Sequence, residues 1–126
     1  MTKDLAARDV LGIHLFLERE FGARGELRDE GALEEGLARA MAETGDGIFG
    51  KAARLMAEIV DHAPFTGGNV RTAFFAADVF LRMNGFFLRC DNVLTQRFFS
   101  ALLDEGRFTY ENLLPWVKAN AERLNP

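Results

Sequence analysis

The stretch from Val70 to Met83 constrains this chain more than any other. Only Arg71, Thr72, Asp78 and Arg82 are polar there, while Ala73, Phe74, Phe75, Ala76, Ala77, Val79, Phe80 and Leu81 cover nearly every side of the helix that the segment predicts. A helix that is apolar all round has no face to give to water, so it belongs in the middle of a bundle with other helices against it. The rest of the chain must supply those neighbours.

Glycine divides the remainder into pieces of helical length. Val10, Ile13, Leu17 and Phe21 form one stripe at helical spacing between Leu5 and Phe21, and Gly22 and Gly25 end that segment. Asp29 is placed to cap a second helix with Leu33, Leu37, Ala40 and Met41 on its buried face, stopped by Thr44-Gly45. Asp46 is placed to cap a third helix carrying Ile48, Phe49, Ala52, Leu55, Met56, Ile59 and Val60. The link His62-Ala63-Pro64-Phe65-Thr66-Gly67-Gly68 leads into the apolar helix, expected from about Asn69 to Met83 and closed by Asn84-Gly85. Phe86-Phe87-Leu88 is short and open to an extended reading. Leu94–Leu103 and Tyr110–Leu124 read as two more helices around Gly106, the last either starting near Pro115 or kinked there. The expected fold is all-α, a compact bundle of about six helices around a buried central helix.

At 126 residues the chain is expected to be a single domain, 1–126, because two halves would each bury too little core. No apolar run reaches the roughly 18 residues of a membrane span, and the N-terminal MTKDLAARDV has no apolar signal region, so no membrane association is expected. The lone Cys90 excludes an internal disulfide framework and a multi-cysteine zinc site, and it reads as a buried or semi-buried thiol in a cytoplasmic protein. Fifteen Lys and Arg against nineteen Asp and Glu give a net charge of −4, the wrong sign for coating nucleic acid, and no direct nucleic-acid partner is expected. Twelve Phe beside one Trp and one Tyr point to a core filled with rings rather than a platform for bases. The pairs Phe74-Phe75, Phe86-Phe87 and Phe98-Phe99 read as core or as the lining of a groove, while Glu34-Glu35 and Asp104-Glu105 read as solvated faces.

The start of the apolar helix carries the chemistry. Unpaired N–H groups at a helix start sit at the positive end of its dipole. Gly67 and Gly68 allow positive φ and close approach of a ligand to the main chain. Asn69 can cap the helix or hold an oxygen, and Arg71 presents a fork suited to phosphate. Together these favour an anion such as phosphate, without forming a Walker A loop, since no Gly-Lys-Ser/Thr follows. The plainer alternative is a turn into a buried helix, with Arg71 paired to a nearby carboxylate.

The run His62-Ala63-Pro64-Phe65-Thr66-Gly67-Gly68-Asn69-Val70-Arg71-Thr72-Ala73-Phe74, followed by Phe80-Leu81-Arg82-Met83-Asn84-Gly85, resembles the core motif of the Fic/Doc family. It is most similar to the death-on-curing branch, the toxin half of toxin–antitoxin pairs, whose pattern runs N-H-P-F-x-D-G-N-K-R-T-A and then F-L-x-x-N-G. Leu27-Arg28-Asp29-Glu30-Gly31-Ala32-Leu33-Glu34, Ala38-Arg39 and the helix with Ile13-His14 also look like that branch. The resemblance implies an all-helical fold whose motif loop binds ATP or another nucleoside triphosphate with Mg²⁺. It further implies transfer of AMP or phosphate to a hydroxyl of a target protein, a translation factor by family analogy, and an antitoxin partner whose segment folds into a groove.

Position by position, the match is uneven. Ala63 occupies the place of the family's catalytic histidine, His62 the place of the preceding Asn, Gly67 that of the metal-binding acid and Val70 that of a lysine or glycine. Phe74 stands where AMP-transferring members often carry a second arginine. Phe65 (the hydrophobic anchor), Gly68, Asn69, Arg71 and Thr72 match. On this alignment the phosphate-binding set of Gly67, Gly68, Asn69, Val70 and Arg71 remains, while the base and the usual acidic ligand of Mg²⁺ are lost. His62 would be a substitute base only if its ring reached the acceptor, and adjacent residues project differently; otherwise it is a partly exposed histidine favoured at a helix C-terminus. His14 reads as a hydrogen-bonded core or rim histidine rather than a base. Three functional readings follow: a death-on-curing-like transferase disabled or weakened by Ala63 (an alanine put in place of a parental histidine being one account), a natural pseudoenzyme that binds a nucleotide or partner, and a helical interaction protein without a nucleotide.

Overall fold

The structure, a computed structural model, describes residues 2–22 and 25–124. Helices α1 (Ala7–Phe21), α2 (Glu30–Met41), α3 (Gly47–His62) and α4 (Asn69–Met83) are followed by strand β1 (Phe86–Leu88), helices α5 (Asn92–Asp104) and α6 (Tyr110–Asn120), and strand β2 (Ala121–Arg123). The all-α expectation holds, with six helices and one short two-stranded sheet among the described residues. No helix among them is long and apolar enough to cross a membrane.

The interior is built on α3 and α4 together. Ala52, Ala53, Leu55 and Met56 of α3 and Ala73, Ala76, Ala77, Phe80 and Leu81 of α4 are all at 0 % exposure. Runs of buried alanine bring two helix axes close, because side-chain size sets interhelical distance. Around this pair, α3 also packs on α2 and α6, and α4 on α1 and β1. The apolar α4 is therefore central, but it shares the centre with α3. Its Phe74, Phe75 and Val79 are only half-buried, and Phe74 and Phe75 line a groove.

Three local expectations are corrected. Phe21, placed on the buried stripe of α1, is 57 % exposed, since the last turn of α1 overhangs the core and leaves Phe21 against Phe16 and Phe75 at its rim. Asp46 stands at the N-cap of α3 but its carboxylate makes no capping bond; it accepts instead from Lys118 Nζ at 2.7 Å and Tyr110 Oη at 3.2 Å, tying α3 to α6. The last helix stops at Asn120 rather than Leu124, because Ala121–Arg123 extends to pair antiparallel with Phe86–Leu88. It begins at Tyr110, so Pro115 lies inside it and removes only one backbone donor from the helix ladder.

Asp29 does cap α2, accepting from Ala32 N at 3.0 Å. On the far side of the bundle, Phe98, Phe99, Phe108 and Trp116 join Phe74 in a ring cluster that seats α5 and α6 on α4; Trp116 lies 5.0 Å from Phe99, 6.2 Å from Phe98 and 6.3 Å from Phe74 between ring centroids. Edge-on and offset contacts of this kind are the favourable ring geometries.

Candidate functional site

The loop from Ala63 to Gly68 joins the two central helices, so its ends are fixed by the core. Ala63 ends α3 in the left-handed region at φ 44°, and it is the sole non-glycine residue with positive φ among the described residues. Such a residue costs about 1–2 kcal/mol unless its surroundings hold it. Arg28 does the holding. Its guanidinium donates to the carbonyl oxygens of His62, at 3.3 Å, and Ala63. A cation on the last carbonyls of a helix satisfies orphan acceptors and meets the negative end of the dipole.

Arg28 belongs to a segment that runs along the loop. Arg28 N and Asp29 N donate to Pro64 O at 2.7 and 3.1 Å, and Thr66 N donates to Glu26 O at 2.9 Å. Glu26 N donates to Thr66 Oγ1 at 2.8 Å, and Leu27 pairs with Phe65 as an isolated antiparallel bridge. Gly25 lies so close that a Cβ there would fall 2.5 Å from Gly67 O and 2.6 Å from Gly67 N. Only glycine permits that approach at its φ of 153°.

On the inner side, Phe65 is 2 % exposed and anchors the loop as the motif resemblance implies. The sequence offers Asn69 as a cap or as an oxygen holder, and the structure corrects the first. The N-cap is Gly68, at φ 75°, and the Asn69 side chain closes a two-way clip on the Phe65 peptide. Its Oδ1 accepts from Phe65 N at 3.1 Å and its Nδ2 donates to Phe65 O at 2.8 Å. His14 on α1, 5 % exposed, stacks on the Phe65 ring with centroids 3.9 Å apart and planes within 4°. Its Nε2 lies 3.2 Å from Gly67 O.

These anchors leave a bare row of donors. Thr72 N reaches Gly68 O at 2.9 Å, whereas the amides of Gly68, Asn69, Val70 and Arg71 meet no acceptor among the described residues. Arg71 is exposed, and its guanidinium sits over the Phe21 ring at 5.6 Å. No carboxylate among the described residues pairs with it, so the structural ion pair that the sequence left open is not formed. Arg71 and Val70 border a cavity of about 420 Å³ walled by Phe21, Phe74, Phe75 and Phe99 and, from α5, by Asn92, Thr95 and Gln96. A partly aromatic recess bearing Val70 and Arg71 thus opens beside the first turn of α4. The bare amides and the guanidinium are donors that suit a compact anion.

His62 is engaged elsewhere. Its Nδ1 lies 3.1 Å from Glu58 O and 3.7 Å from Glu58 Oε1, and its Nε2 is 3.9 Å from Glu35 Oε1 on α2. Its ring is thereby held against α2 and α3, next to a carboxylate of Glu58 that also faces Arg39 and Arg54. Gly67, in the place of the family's acid, offers no carboxylate, and no cluster of three His, Cys, Asp or Glu side chains able to hold a metal occurs among the described residues. The residues at the loop therefore do not fit a resident Mg²⁺.

The reading of His14 as a hydrogen-bonded core or rim histidine holds, but the sequence gives no sign that His14, Gly25 and Arg28 build the loop from outside. The motif points along α4 and says nothing of what packs on the loop from α1 and from the α1–α2 connection. Gly25 was read only as a helix stop.

A Fic/DOC family model matches residues 4–81, more than half of the chain. The match spans α1 to α4 and so takes in the loop and every anchor described above. The protein belongs to the Fic/DOC family. Comparison with curated proteins gives no match to the chain.

Proposed function

We propose that this protein has the architecture of a death-on-curing-like transferase, built to move a phosphate or an AMP group from ATP, or another nucleoside triphosphate, to a hydroxyl of a target protein. In this sequence the transfer is disabled or weakened at Ala63. The observation that supports the reading most is the amide row at the start of α4, without acceptors among the described residues, followed by the Arg71 guanidinium, which rests on the Phe21 ring and pairs with no carboxylate among them. Donors fixed before the reaction can hold phosphate oxygens and offset charge as the transition state forms.

The chain's own residues then have separate tasks. The amides of Gly68, Asn69, Val70 and Arg71 and the Arg71 guanidinium bind and orient the phosphates. The rings of Phe74, Phe75 and Phe99 give the recess beside Arg71 an apolar wall. Nothing at Ala63 can take the acceptor's proton, since a base has to lie within about 2.6–3.2 Å of it. His62 does not replace it, because its ring is held by Glu58 and Glu35. No step is assigned to Mg²⁺. An antitoxin and a translation-factor target are the partners that the family resemblance suggests for a cytoplasmic toxin of this kind.

A second reading has its own support. Gly67 as well as Ala63 departs from the family's chemistry, and this favours a pseudoenzyme that binds a nucleotide or a partner without turnover. The test is to assay transfer of label from γ- and α-labelled ATP to cell extract with the unchanged chain, Ala63→His, and Ala63→His with Gly67→Asp. Transfer that appears with the histidine supports the transferase reading. ATP binding lost in Arg71→Ala, without transfer in any variant, supports the pseudoenzyme. Absence of saturable binding of any nucleoside triphosphate rejects the transferase and leaves only a pseudoenzyme that binds a partner.

A further inference from the structure

We infer that His14 is the positioning residue of the phosphate cradle: its imidazole fixes which way the Gly67–Gly68 peptide faces. The inference rests on the phosphate-site reading above and adds to it a residue on another helix.

Gly67 and Gly68 are joined by a peptide free to rotate as a unit, because neither residue has a Cβ to forbid the alternative. Its two faces are opposite in charge. In a trans peptide the C=O and the following N–H point in opposite directions, and no cis bond occurs among the described residues. With Gly67 O turned to α1, the Gly68 N–H points away from α1 and joins the bare amides of the first turn of α4. Turned over, the same peptide would place a carbonyl oxygen against the anion.

His14 decides between the two. Gly67 O can only accept, so the Nε2 that lies 3.2 Å from it carries the hydrogen. The ring cannot swing aside, because it is stacked at 3.9 Å on Phe65, whose own peptide is clipped on both groups by Asn69. On the same helix the Glu18 carboxylate stands 3.8 Å from Nδ1. Gly25 presses on Gly67 from the α1–α2 connection and leaves the loop little room to shift. A buried histidine with a hydrogen-bonded, stacked ring is thus more than filler. It sets the direction of a dipole at the site.

The experiment compares two folded variants of nearly equal volume, His14→Gln, which keeps a donor near the Nε2 position, and His14→Met, which does not. ATP is titrated calorimetrically into the full chain, both variants and Arg71→Ala. The amide resonance of Gly68 is followed without ligand. The Gln variant is expected to bind ATP within about threefold of the unchanged chain and the Met variant about tenfold more weakly, the worth of one net hydrogen bond. The Gly68 resonance should move in Met and return towards its original position in Gln. Equal ATP affinity of Met and Gln, with Arg71→Ala impaired, overturns the role of His14 and leaves the phosphate site standing. Failure of the unchanged chain to bind ATP overturns the phosphate site itself, and the role of His14 with it.

Discussion

Asn69 offers the sharpest test of how the loop is held, because two physical accounts predict opposite signs for one substitution. If Asn69 acted through the α4 dipole, a carboxylate in its place would be neutral or stabilising by about 0.3–1 kcal/mol. The structure gives another account, in which Oδ1 accepts from Phe65 N at 3.1 Å and Nδ2 donates to Phe65 O at 2.8 Å. Asn69→Ala leaves both groups of a residue 2 % exposed without partners. At about 1–3 kcal/mol for each buried orphan, the loss is about 2–4 kcal/mol after partial relaxation. Asn69→Asp keeps the first bond but sets a carboxylate oxygen against a carbonyl oxygen where the donor stood. It should cost about 1.5–3 kcal/mol even with the dipole in its favour. Urea unfolding followed by far-ultraviolet circular dichroism measures both variants against the unchanged chain. An Asp variant within about 0.5 kcal/mol of it would refute the clip.

Three further outcomes are expected. Ala63→Gly should stabilise the chain by about 0.5–1 kcal/mol, since glycine accepts φ 44° without the left-handed penalty, and a thermal melt that falls instead would count against strain at that position. Thr72 is 0 % exposed and its Oγ1 has no partner among the described residues, so Thr72→Val should be neutral or stabilising by up to about 1 kcal/mol; a loss above about 1 kcal/mol in urea would mean that the hydroxyl is bonded after all. Asp46 is held below its ordinary carboxylate value of 3.8, first by the hydrogen bond from Lys118 and also by that of Tyr110. A depressed folded value means stability that is present above the unfolded value and lost as pH falls through the folded one. The stability difference between the unchanged chain and Asp46→Asn should therefore shrink from pH 6 to about pH 3, and a constant difference would reject the linkage.

Helices were legible where periodicity and punctuation agreed. The Asp29 cap and the glycine-bounded α4 read directly because local chemistry dictates both. The ends that failed were those decided at a distance. Ala121–Arg123 looks helical until Phe86–Leu88 is there to pair with it, and Asp46 looks like a cap until Lys118 and Tyr110 compete for its carboxylate. Phe21 shows the limit of a stripe argument, because periodicity gives a face but not where the neighbouring helix stops. At the site, the motif marked the amides and Arg71. It could not show that Arg28 seals the end of α3 or that His14 reaches Gly67, since both contacts join elements far apart in sequence, nor that Asn69 binds Phe65 four residues away, since that bond exists only once the loop folds back on the helix start.

The aromatic cluster has a practical consequence. The chain's single tryptophan, Trp116, touches Phe74 and Phe99, and both of these rings also wall the recess beside Arg71. Excitation near 295 nm therefore interrogates one locus a single ring away from that recess, with no label attached. The protein carries its own optical gauge of whether that recess is filled.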